Sequence, residues 1–237
     1  VQAMQSALGG VRQGVLAEEV VLSERGVVAI PEHLDFAEAA TLPCAALTGW
    51  HALTEPRPVV AGETVLLLGT GGVSVFAQQF CRLMGARTIV TSSSDDKLAR
   101  MRGLGAEGTV NYRADPDWEQ AVLEMTGGAG VDRVVEVGGP GTLQKSIAAT
   151  RVGGTIALIG ILTGAAGHVV PTDIMRKSLT MRGIYVGPRR MFEAMNRAIA
   201  AHGLRQVIDR RVAFDDARDS YRTMRSARHF GKIVIEA

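Results

Sequence analysis

With 237 residues, 46% hydrophobic and 21% charged, the chain can bury a real core and form one large domain or one domain plus part of another. A net charge of only +2 leaves no electrostatic footprint for nucleic acid, and no stretch is long and apolar enough to span a bilayer. Two cysteines, Cys44 and Cys81, cannot make a disulfide framework and fit a reducing cytoplasm; the expected partner is a small-molecule substrate.

In chain order, residues 17–21 and 27–30 predict antiparallel strands, followed by a turn at Pro31-Glu32 and a small helix at 36–40. From residue 64 short apolar runs alternate with amphipathic stretches. Strands are predicted at 64–68, 87–91, 109–111, 131–137, 155–161 and 179–186. Helices are predicted at 73–84, 95–104, 117–126, 143–150 and near 172–178. Strands separated by helices pair in parallel through right-handed crossovers, which makes a doubly wound α/β sheet. The tail predicts a helix at 191–201, a strand at 206–214, a helix at 215–225 and a last strand at 232–236. Arginines between 189 and 228 are interspersed with acids at helical spacing and read as solvated helix faces. The flanks are expected to form a second unit, giving three parts: 1–45, a Rossmann domain at 46–188, and 189–237.

The turn Leu68-Gly69-Thr70-Gly71-Gly72-Val73-Ser74 joins the first of these sheet strands to the first helix. A glycine at 69 permits a tight turn, and Gly71 lets the backbone approach a pyrophosphate. The helix N-terminus that follows offers free N–H groups and a positive dipole end. Ser74 stands where a third glycine is usual; it is small enough to preserve packing, and its hydroxyl is available to a phosphate. The run Gly127-Gly128-Ala129-Gly130 follows a helix and reads as its stop.

An NAD-selective site places an acid at the end of the second strand. Here that point carries Ser92, Ser93 and Ser94, with Asp95 the first acid and Lys97 nearby. Hydroxyls and a lysine suit a 2′-phosphate, so NADP(H) is the expected cofactor. Ser94 also reads as a helix cap.

Three further segments complete a pattern: Leu42-Pro43-Cys44-Ala45-Ala46-Leu47-Thr48-Gly49-Trp50, Asn111-Tyr112-Arg113 with Val135-Glu136-Val137-Gly138-Gly139, and His229-Phe230-Gly231-Lys232-Ile233-Val234-Ile235. With the glycine turn they resemble the medium-chain dehydrogenase/reductase superfamily, notably its quinone-oxidoreductase-like, zinc-independent NADP-dependent alcohol dehydrogenase branch. The resemblance implies that Thr48 lies near the nicotinamide, and that Gly69, Thr70, Gly71, Gly72, Val73 and Ser74 hold the pyrophosphate. It also implies that Ser92, Ser93, Lys97 and Tyr112 surround the 2′-phosphate and adenosine. Val137, Gly138, Ile159 and Gly160 would line the nicotinamide pocket, although core packing accounts equally well for Val137 and Ile159. Members normally begin with roughly another hundred residues forming a GroES-like barrel. The chain is therefore expected to be a fragment or a natural truncation, with barrel remnants at both ends and residues 1–13 as the tail of a preceding loop.

Cys44 matches a catalytic zinc ligand of the zinc-dependent branch, but a catalytic zinc needs three protein ligands. His51 has no recurrent metal-pair spacing, so no metal is expected, and Cys44 reads as a buried free thiol. Neither a Gly-x-Ser-x-Gly elbow nor a Tyr-x-x-x-Lys pair is present, and His33, His168, His202 and His229 read as isolated surface or capping residues. The expected activity is hydride transfer between NADP(H) and a carbonyl, alcohol, quinone or enone, with Thr48 as the donor to the reacting oxygen. A non-catalytic NADP(H)-binding fragment and a zinc-dependent alcohol dehydrogenase remain alternatives. Strand 179–186 is expected to pair across a two-fold axis in a homodimer.

Overall fold

The computed structural model describes residues 7–236. Its centre is a six-stranded parallel sheet of β1 (Thr64–Leu68), β2 (Arg87–Ser92), β3 (Gly108–Asn111), β4 (Val131–Glu136), β5 (Thr150–Leu158) and β6 (Thr180–Gly183). The spatial order is β3-β2-β1-β4-β5-β6. That order reverses between β1 and β4, opening a crevice beyond their carboxyl ends, where doubly wound sheets bind ligands.

The alternation of side chains along each strand divides the core in two. Val65, Leu67, Val90, Val135 and Ala157 face one layer, where they meet α2 (Leu47–Thr54), α3 (Gly72–Leu83) and α8 (Arg189–Ala201) through Leu53, Phe76, Phe80 and Met195. Leu66, Leu68, Ile89, Val110, Val134 and Ile156 face the other. There they meet Trp118 and Val122 of α5 (Trp118–Met125), and Leu143 and Ile147 of α6 (Pro140–Ala149). Residues buried on both faces explain why these strands read as continuous apolar runs.

Local signals place the helices. Ser94 caps α4 (Asp95–Gly103) by accepting from Lys97 N–H, and Asp95 and Asp96 fall in its first turn, where the helix dipole favours them. The short α1 (Phe36–Ala40) opens on a capping box between Asp35 and Glu38. A single π-helical turn, Leu42–Ala46, leads into α2. Gly49 lets α2 lie close to α3: a Cβ there would stand 3.2 Å from Val73 O.

Several predicted boundaries move. Residues 17–21 and 27–30 form no strands; the segment runs exposed around a short 3₁₀ turn, Glu24–Gly26, and no strand among the described residues pairs with it. A strand without a ladder leaves its backbone groups to water. Of the expected tail at 1–13, residues 1–6 lie outside the described residues, and Leu8 and Arg12 close a small turn. The strand expected at 155–161 begins at Thr150 and ends at Leu158, which leaves Ile159 and Gly160 in the turn beyond it. The strand expected at 179–186 is limited to Thr180–Gly183; the chain turns away through Val186, whose φ is +50°. α7 (Pro171–Arg176) precedes it.

After α8 come β7 (Ile208–Ala213), α9 (Ala217–Arg225) and β8 (Lys232–Glu236), with β7 and β8 forming a separate parallel pair. Ion pairs Arg205–Glu38 and Arg211–Asp35 join this tail to α1. No helix among the described residues is long and apolar enough to cross a membrane.

Candidate cofactor site

The glycine turn sits at the carboxyl end of β1. Gly69 has φ +73°, a conformation that a side chain makes costly, and it bends the chain off the sheet edge. Gly71, extended at φ −80°, is the residue before α3; a Cβ there would meet nothing within 4 Å, so its backbone faces open space. The first N–H groups of α3, a twelve-residue helix, point into the same space.

Around this turn lies a cleft of about 550 Å³. It is walled by Gly69, Thr70, Gly71, Gly72, Val73 and Ser74 on one side, and by Ser92, Ser93, Lys97, Tyr112 and Val137 beside them. A second chamber of about 500 Å³ shares Gly69, Tyr112 and Val137 with it and extends past Trp118, Gly138 and Thr142. Together they span the crevice from the end of β2 to the end of β4. Such a trough, with a helix N-terminus at its middle, suits an extended molecule carrying a diphosphate.

The zinc-binding dehydrogenase family pattern matches residues 72–201. A zinc-type alcohol dehydrogenase-like protein of Schizosaccharomyces pombe is 41% identical, aligned over 99% of this chain and 69% of its own length. A solved structure from Sinorhizobium meliloti 1021, assigned as an alcohol dehydrogenase, is 42% identical with a TM-score of 0.92, covering 98% of this chain and 67% of that one. A solved NAD-dependent alcohol dehydrogenase is 35% identical with a TM-score of 0.89, over 97% and 67%. The chain belongs to the medium-chain dehydrogenase/reductase superfamily. It is an oxidoreductase-family protein built on that family's Rossmann-like sheet.

Within this dehydrogenase fold the expected residues do not all meet. The glycine turn, Ser92, Ser93, Lys97, Tyr112 and Val137 line one cleft, and Gly138 lines the adjoining chamber. Ile159 and Gly160 line a separate hollow with Gly139 and Pro140. Thr48, on α2, is 4% exposed and lines none of these spaces. Ser74 directs its hydroxyl inward, donating to Leu68 O at 2.6 Å, so it braces the turn in place of the third glycine and its proton does not face a phosphate. Ser92 is buried with Oγ 3.4 Å from Thr70 Oγ1. Asp95 accepts from Asn111 Nδ2 at 2.9 Å and, like Asp96, does not line the cleft. Lys97 donates to Ala227 O at 2.6 Å; burial lowers its pKa, nearby Arg100 adds to this, and Asp209 opposes it.

Cys44 corrects an expectation: it is exposed, on the π-helical turn, not buried. No group of three or more His, Cys, Asp or Glu among the described residues is placed to hold a metal, so these residues do not supply the ligand set of a catalytic zinc. Cys81 is buried in the core against α3's neighbours, and burial pushes its thiol up to about 12.

The structure adds residues that the sequence did not single out. Glu136 is fully buried, and its Oε1 accepts from Gly138 N (2.8 Å), Gly139 N (3.0 Å) and Thr142 Oγ1 (2.7 Å) while Oε2 accepts from Ser146 Oγ. One carboxylate thus shapes the turn that ends β4. Gly160 packs on that turn: a Cβ would stand 1.5 Å from Val137 O. An acid directly before Val-Gly-Gly was the available signal. Met224 and Ala227, from the C-terminal tail, also wall the cleft, and nothing in local sequence marks them, because their approach is purely tertiary; His229, expected to be an isolated surface or capping residue, walls it with them.

Proposed function

We propose that this chain binds NADP(H) in the crevice and serves an oxidoreductase that reduces or oxidises a carbonyl, alcohol, quinone or enone. The observation that carries the reading is the single cleft in which Gly69–Ser74 meets Ser92, Ser93, Lys97 and Tyr112. The nicotinamide would supply the hydride chemistry when bound. The turn Gly69–Gly72 and the α3 N-terminus would hold the pyrophosphate. Ser93 and Lys97 would bind the 2′-phosphate, with Ser92 backing them through Thr70, and Tyr112 would cover the adenosine. Val137 and Gly138, fixed by Glu136, would border the cofactor on the β4 side. Ile159 and Gly160, one turn further, would support that border from behind. Thr48, which lines neither chamber, would by family resemblance be the donor to the reacting oxygen. The parts 1–45, 46–188 and 189–237 would then be a catalytic-domain remnant, the cofactor domain and a returning segment, and β6 would pair with its copy in a homodimer.

NAD is the second reading, favoured by the NAD-dependent alcohol dehydrogenase among the similar structures. Parallel titration with NADPH and NADH, followed by nucleotide fluorescence, separates the two. Tighter binding of NADPH is expected because hydrogen bonds to a charged group contribute about 1.5–3 kcal/mol each. Equal affinity would reduce Ser93 and Ser94 to loop and cap residues. Binding of neither nucleotide would overturn the cofactor reading for this chain.

A further inference from the structure

One wall of the cleft comes from the segment between α9 and β8, beyond the residues that the family pattern matches. Three sets of contacts seat it. Gly231 N–H donates to Thr70 O at 3.1 Å, and Gly231 bridges to Gly71 in parallel. Lys97 Nζ holds Ala227 O. Phe230 is 1% exposed beneath the Arg100 guanidinium, 4.0 Å from the ring centroid, and its N–H reaches Asp209 Oδ1 at 3.3 Å. His229 lies between these anchors, and its ring lines the cleft together with Ser92, Ser93 and Lys97.

No internal contact explains the ring. Nδ1 is buried and has no hydrogen-bond partner among the described residues. Since the ring lines the cleft and Nδ1 is sealed from it, Nε2 is the nitrogen that the cleft can use. We propose that His229 is a cofactor ligand that donates Nε2–H to a phosphate oxygen of the dinucleotide. This rests on the cofactor reading above and extends the site to the C-terminal tail.

The protonation state follows from the surroundings. Burial lowers the ring's pKa, as do the charges of Lys97, Lys232 and Arg210, while Asp209 opposes them. A charged ring would also bury an Nδ1–H that has no acceptor, which is unfavourable. A neutral ring with its proton on Nε2 avoids that cost and places a directed donor beside the charge that Lys97 supplies. The acceptor is an oxygen of either the 2′-phosphate, near the end of β2, or the pyrophosphate, near the glycine turn.

The test is titration of the wild-type protein, His229→Ala and His229→Gln with NADPH and with NADH, alongside the melting temperature of each free protein. Glutamine carries an N–H donor close to the position of Nε2. His229→Ala is expected to weaken NADPH binding about tenfold or more, and His229→Gln to recover most of the loss. If NADH is unaffected the acceptor is the 2′-phosphate; if it weakens equally, the pyrophosphate. Unchanged affinity for both nucleotides in His229→Ala overturns the proposal. So does a loss that glutamine fails to recover while the melting temperature falls, since that marks a structural role. Should the wild-type protein bind neither nucleotide, the cofactor reading and this one fall together, an outcome visible before any variant is compared.

Discussion

Glu136 accepts four hydrogen bonds on two oxygens, all from the turn and helix that follow it. Glutamine would oppose a donor with a donor on one side and leave a buried group unsatisfied. Glu136→Gln should therefore lower stability by about 1–3 kcal/mol in chemical denaturation, and loosen the turn bearing Val137 and Gly138. The two thiols differ in a way that a reagent can count. Burial pushes the Cys81 thiol up to about 12, so at pH 8 almost no thiolate exists there, whereas Cys44 is exposed. A colorimetric thiol titration at pH 8 should find one reactive sulfur in the folded protein and two in denaturant. Thr48 precedes Gly49, where α2 approaches α3, and the family resemblance places it near the nicotinamide. Thr48→Val should cut turnover about a hundredfold with cofactor affinity nearly unchanged. Unaltered turnover would remove Thr48 from the reaction. At this scale the glycine turn was legible because φ > 0 and close approach leave few residue choices. The inward bond of Ser74 and the exposure of Cys44 were not, since both depend on what packs nearby.

Among the elements, α2 is held at its end by a residue from the sheet. Arg133, on β4 and 1% exposed, donates to the carbonyls of Ala52 (2.7 Å), Glu55 (3.0 Å) and Arg57 (2.8 Å). These include carbonyls at the close of a helix, which have no partner within it. Burial lowers the guanidinium pKa to about 10, and the three acceptors offset part of that cost. Arg133→Met should destabilise the fold by about 3 kcal/mol or more, and Arg133→Lys should restore only part, because an ammonium cannot reproduce the fork. The succession of β1 to β6 with their helices was readable from periodicity, which a strand buried on both faces enforces over its whole length. Residues 17–30 misled for a related reason: apolar residues such as Val20, Val21 and Ile30 look like strand, but they are exposed here and pair with nothing among the described residues. The start of β5 was also missed: the helix was carried to residue 150 and the strand begun at 155, whereas the strand starts at Thr150 and shifts its register against β4 through Gly153 and Gly154.

At the scale of the molecule, the sheet ends on β6, whose outer edge has no neighbouring strand among the described residues. An unpaired edge of this kind invites pairing with a copy. Sedimentation analysis is expected to give a dimer mass at micromolar concentration, and insertion of Pro in place of Met181 should shift it toward monomer. A concentration-independent monomer mass would refute the pairing. How the C-terminal tail meets the glycine turn was not legible in the sequence, since no local signal encodes a bridge between residues so far apart.

That bridge joins Gly71, the residue on which the diphosphate turn depends, to Gly231, close to the last strand. During synthesis the Rossmann strands emerge long before the tail that completes their crevice. A nascent chain could thus assemble its sheet while its nucleotide trough still lacks a wall, and coenzyme capture would wait until the segment around Gly231 has been made and has folded back onto Gly71.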